Sequence, residues 1–129
     1  DYKVSEMNTN QFRLTHENSS ESPAFILWFL NTTPVSFKSE RFVSKGQPPF
    51  SEHQLLRFEM PAINPHFLAL FITETDYQQM KINAQANFQD NRVFVELSSI
   101  HQSDRLEFGF YNFFRSDSEQ LFHWKRNSQ

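Results

Sequence analysis

Five histidines, at positions 16, 53, 66, 101 and 123, are the first residues that could do chemistry. None forms an H-x-H or H-x-x-x-H pair, and none lies beside a run of carboxylates, so surface and turn positions are expected rather than a metal centre. No cysteine is present, which excludes disulfides, thiolate metal sites and cysteine nucleophiles. The G-x-S-x-G nucleophile turn is absent. A chain with two glycines has no Gly-rich loop to cradle phosphates. Glu96 and Glu107 are the best carboxylate pair for acid–base work, but Arg92 and Arg105 beside them predict solvent-facing ion pairs. The expected function is therefore non-enzymatic, with no cofactor and no bound metal; a hydrolase would need a buried nucleophile–His pair.

Binding motifs are equally sparse. Asn18-Ser19-Ser20 and Asn31-Thr32-Thr33 fit the N-glycosylation pattern, as chance allows in a chain rich in these residues. Phe108-Gly109-Phe110-Tyr111-Asn112-Phe113 overlaps the aromatic end of an RNA-binding strand. The match fails at Leu106 and Glu107, where a basic residue and glycine belong. The net charge is −3 with no basic block, so nucleic acid is not an expected partner.

The elements that must position any site are strands. Arg92 to Arg126 reads as a three-strand antiparallel meander: Val93, Val95 and Leu97, then Leu106, Phe108 and Phe110, then Phe122 and Trp124 each alternate with polar or charged neighbours. His101 to Asp104 and Arg115 to Ser118 supply polar turns. Upstream, Tyr2 to Met7 reads as an edge strand, and Gln11 to His16 as a strand with Phe12 and Leu14 on one face. Ala24 to Leu30 is apolar on both faces and predicts a strand of which part, or an adjacent sheet edge, is covered by a partner chain or by self-association. Pro34 to Val43 and Met80 to Phe88 also alternate, and His66 to Thr73 reads as a central strand. The one predicted helix is Glu52 to Glu59. Ser51 and Gln54 have capping-box spacing there, and Phe50 and Leu55 that of a hydrophobic staple.

Sixteen phenylalanines in 129 residues, seven to nine short strands and one helix predict an all-β single domain over 1–129. A small antiparallel, lipocalin-like β-barrel is expected, with a β-sandwich as the alternative. Met80, Ile82, Ala84 and Ala86 would share the inner face of the meander with its apolar rows. Large aromatics beside small alanines pack either into a solid core or around a hollow. The candidate ligand-binding residues are Met80, Ala84, Phe108, Phe110, Phe122 and Trp124, with Asn83, Asn112 and His123 at the mouth.

Thr33-Pro34-Val35-Ser36-Phe37-Lys38 and Phe50-Ser51-Glu52-His53-Gln54-Leu55 resemble ToxS, the small membrane-anchored partner of ToxR-type transcription regulators, to which VtrC is more distantly related. The shared pattern is T-P-V-x-F-K, then an aromatic, Ser or Thr, an acidic residue, and Gln-Leu, within about forty residues. A Gly-x-Trp strand expected before T-P-V is replaced by Phe25 to Leu30, and the meander has no counterpart. The resemblance implies a periplasmic lipocalin-like barrel that pairs with the periplasmic domain of a membrane-bound regulator and, in the VtrC branch, binds bile salts. It also implies a membrane segment upstream of Asp1, since no stretch here approaches the 18 apolar residues that a spanning helix needs. The alternative is a structural or interaction β-sandwich serving adhesion, secretion-system assembly or toxin neutralisation without a small ligand.

Overall fold

The computed structural model describes residues 1–46, 48–49, 51–61, 67–89, 92–109 and 122–128, with the backbone alone for Phe122, His123 and Ser128. The chain is mostly antiparallel β, as its alternation predicts, and contains ten strands and one six-residue helix among these residues. It divides into two compact units, Asp1–Phe71 and Ile72–Gln129. Neither unit holds a closed barrel among the described residues: every sheet is open, and the sandwich alternative fits.

In the first unit β1 (Tyr2–Asn8), β2 (Gln11–His16), β3 (Phe25–Phe29) and β6 (Ala69–Thr73) form a sheet in that order, and β4 (Ser36–Val43) pairs with β5 (Glu52–Glu59) as a hairpin. Register places Phe12 opposite Leu27 and Leu14 opposite both Val4 and Phe25, so one face of the sheet is continuously apolar. On the hairpin Phe37 lies opposite Phe58 and Ser39 opposite Leu56. These faces meet in one core around Phe12, Leu14, Phe29 and Val35, with Phe37, Leu56, Phe58 and Met60 packed on it. Phe58 is its hub: the rings of Phe12, Phe29 and Phe37 have centroids 5.1, 5.1 and 5.3 Å from it.

That hub overturns the predicted helix. Residues 52–59 form β5 because Leu56 and Phe58 must face the same side, which a period of two allows and a helix does not. The Ser51 hydroxyl caps nothing and sits 2.7 Å from His53 Nε2 and 3.1 Å from Ser44 Oγ. Phe50, the other half of the expected staple, lies outside the described residues. The helix is instead α1, Glu74–Gln79, where Thr73 Oγ1 accepts from Asp76 N–H at 3.1 Å. Thr73-x-x-Asp76 carries the signal, with Glu74 and Asp76 in the first turn where the helix dipole favours anions. Strand β6 is likewise not central: it borders β3 at the edge of its sheet, and Phe71 is 57% exposed although stacked on Phe25 at 4.8 Å.

The doubly apolar stretch at 24–30 does form a strand, β3. The side away from the core is covered by the chain itself, with Ile26 fully buried and Trp28 half-buried. Among the described residues β1 and β6 are the edges of this sheet.

One buried polar side chain joins these pieces. Asn10, 4% exposed and at φ 63°, closes the β1–β2 turn. Its Nδ2 donates to the carbonyls of Asn31 (2.8 Å) and Thr33 (3.0 Å), and its Oδ1 accepts from Val35 N–H at 2.7 Å. Asn tolerates a left-handed backbone better than other side-chain-bearing residues. Asn10→Ala should cost about 3 kcal/mol, from three lost hydrogen bonds and a strained φ. Asn10→Gly, which relieves only the backbone, should recover a minority of that in chemical denaturation. A second comparison checks the helix: Thr73→Ala should cost about 1 kcal/mol. Ser51→Ala should stay within about 0.5 kcal/mol of the parent.

Candidate functional site

The second unit carries β7 (Asn83–Gln89), β8 (Arg92–Ser98), β9 (Gln102–Gly109) and β10 (Phe122–Ser128) as one antiparallel sheet, in the order β10-β9-β8-β7. Directly opposed residues share a face, so the registers write the two faces out in rows. One face carries Ala86–Val95–Leu106–Trp124 and Phe88–Val93–Phe108, with the backbone of Phe122 in register opposite Phe108. Val93, Val95 and Ala84 are buried on it. The other face carries Gln85–Glu96–Arg105–Lys125 and Asn87–Phe94–Glu107, with the backbone of His123 in register opposite Glu107.

The predicted ligand residues scatter relative to this frame. Ala84, Phe108 and Trp124 do fall on one face, as read from their alternation, and the backbone of Phe122 has the matching register. Met80 does not join them; it is the C-cap of α1, so the strand begins at Asn83 rather than Met80. Phe110 and Asn112 lie outside the described residues, as do the turn at 115–118 and most of the RNA-strand-like stretch. Trp124 is 54% exposed, with the Arg126 guanidinium 4.7 Å from its ring centroid.

A concavity of about 810 Å³ opens mainly on the polar face. Phe94 gives it an aromatic wall, β7 contributes the amides of Gln85, Asn87 and Gln89, and the cations Arg105 and Lys125 border it. Trp124 of β10 also borders it, although the register sets its side chain on the other face. A smaller hollow of about 330 Å³ continues along the same face toward Asn83, Ser98, Ser103 and Asn127. The sequence carries a signal for this surface: every outward position of β7 is an amide, Asn83, Gln85, Asn87 and Gln89. Planar amides offer both donors and acceptors without the desolvation cost of a charge.

Charges on this face are arranged in cross-strand pairs. Arg105 Nη2 donates to Glu96 Oε1 at 3.0 Å and Gln85 Nε2 to Glu96 Oε2 at 2.9 Å. The Arg105 hydrogen bond, then that of Gln85, holds the Glu96 carboxyl below its ordinary range. Arg92 Nη1 donates to Glu107 Oε1 at 2.7 Å. The two glutamates are thus engaged by arginines, as the sequence predicts, rather than by each other. On the opposite face Arg126 grips Asp104 with two bonds, Nε–Oδ1 at 2.8 Å and Nη2–Oδ2 at 2.9 Å.

Among the described residues no group of three or more His, Cys, Asp or Glu could hold a metal. The closest Ser–His contact, Ser51–His53, is exposed on the β4–β5 hairpin and lines neither hollow. The arrangement can bind by stacking, hydrogen bonding and charge. Comparison with protein families, with curated proteins and with solved structures finds no match.

The Asp104–Arg126 pair predicts an acid dependence. The Arg126 hydrogen bond lowers the folded-state pKa of Asp104, so its stabilisation is full above the unfolded carboxyl value of about 3.9 and disappears as pH falls through the lower folded value. Thermal melts of Asp104→Asn should show a lower midpoint at neutral pH and a shallower decline under acid than the parent.

Proposed function

We propose that the chain is a non-enzymatic sensor or accessory domain that binds an amphipathic small molecule, such as a bile salt, on the hollowed face of the β7–β10 sheet. The observation that carries this reading is the concavity of about 810 Å³ with Phe94 as an aromatic wall and amides and charges around it. An amphiphile matches such a surface: its apolar body covers the Phe94 ring, where burial contributes roughly 25 cal/mol per Å², while its polar groups meet Gln85, Asn87 and Arg105. The hollow differs from the one expected on the apolar face, yet Trp124 borders it and remains a probe.

The setting we propose is the periplasmic side of the inner membrane, with the domain held by a segment upstream of Asp1 and paired with the periplasmic part of a membrane-bound transcription regulator. Its support is the resemblance at Thr33–Lys38 and Phe50–Leu55. Val35 and Phe37, from the first of these stretches, are core residues of the first unit. Sheet edges open at β1, β6, β7 and β10 among the described residues give a partner chain places to add a strand.

Titration with taurocholate tests the ligand. In a Trp28→Phe background, where Trp124 is the sole tryptophan, fluorescence should change saturably. Phe94→Ala should weaken binding by roughly 1 kcal/mol. Absence of any saturable signal with bile salts or fatty acids, alone and with the partner domain present, would remove the sensor reading in favour of a structural β-domain.

A further inference from the structure

The two hollows on the polar face share four residues, Gln85, Glu96, Arg105 and Lys125, which form one straight cross-strand row. That row is the saddle between them. On one side lies the larger hollow with Phe94; on the other lies the small hollow, whose lining includes Asn83, Ser98, Ser103 and Asn127. At the saddle Arg105 and Lys125 stand directly opposite each other on β9 and β10. Like charges in that position oppose strand pairing. Glu96 answers Arg105 at 3.0 Å, whereas Lys125 makes no ion pair among the described residues. With Glu107 engaged by Arg92, the face has one cation left over among the described residues.

The geometry points to a monoanionic amphiphile whose charged group sits between an apolar body and a hydroxyl-bearing head, the anion bridging Arg105 and Lys125. This rests on the proposed reading of the same face as an amphiphile site and specifies its ligand class. The apolar body covers Phe94. The anion removes the Arg105–Lys125 repulsion, and the hydroxyls reach the Ser and Asn side chains of the small hollow. A terminal carboxylate with no head would leave those groups to water, and a zwitterion would place a second cation beside Lys125.

Calorimetric titration of the chain with lysophosphatidylglycerol tests this, with dodecyl maltoside, lysophosphatidylcholine, lauric acid and glycerol phosphate as comparisons, each amphiphile below its micellar concentration. Lysophosphatidylglycerol should bind about fivefold or more tightly than each of the others, the increment of one exposed ion pair. Lys125→Gln, at an exposed position, should erase that preference and leave dodecyl maltoside binding unchanged. Equal binding of the uncharged or zwitterionic lipid, a preference that survives Lys125→Gln, or equal binding of glycerol phosphate without a chain each overturns the inference. If taurocholate binds while the lysophosphatidylglycerol preference is absent, the amphiphile site stands and the saddle anion falls. If no amphiphile binds, both fall.

Discussion

The first unit depends on a single side chain that behaves as backbone. Asn10 presents an amide to a stretch of chain, Asn31 to Val35, that has left one sheet and not yet entered the hairpin. Peptide groups buried there would otherwise lack partners, at a cost of about 1–3 kcal/mol each. Asn10 also offers its own carbonyl to Phe29 N–H at 2.8 Å. Asn31 repeats the device one step on, its Oδ1 accepting from Leu68 N–H at 3.3 Å while Leu30 N–H bonds the Leu68 carbonyl at 2.8 Å. Two asparagines thus join the β1–β2 turn, the path to β4 and the start of β6. In a chain with two glycines, asparagine takes the left-handed turn position as well as the hydrogen bonds.

The hairpin is tied to the edge strand in a related way. Gln54 accepts from Tyr2 N–H and donates to the Tyr2 carbonyl, each at 2.8 Å, and so continues the pairing of β1 with a side chain where no strand is available. Arg41 pairs with Asp1 beside it. These contacts are exposed and contribute little to stability individually, but they give the first residues of the chain a fixed place.

The parts legible in the sequence were those where one face is buried and the other wet. The alternations of Val93–Leu97, Leu106–Phe108 and Phe122–Trp124 predict the registers found, because a slip of one residue would invert every row. Legibility failed where local chemistry and tertiary packing disagreed. Ser51 and Gln54 have the spacing of a helix start, yet Phe58 is needed among Phe12, Phe29 and Phe37, and the core decides. At 66–73 a uniformly apolar run hides whether a strand is central or at an edge, since both read alike without the neighbouring strand. The hollow escaped for another reason: it lies on the polar face, where attention to apolar rows does not look, and its marker is the run of amides on β7.

The direct opposition of strands in the β7–β10 sheet also governs how this sequence can change length. Each row holds one residue from every strand, and adjacent rows belong to opposite faces. Loss of a single residue inside β9, for example at Glu107, would turn over everything on one side of the gap, bringing aromatic side chains to the amide face and charges to the apolar one. Loss of two adjacent residues would shorten the sheet by one row of each kind and leave its sidedness intact. Parity, more than length, is what descendants of this chain must conserve within these strands.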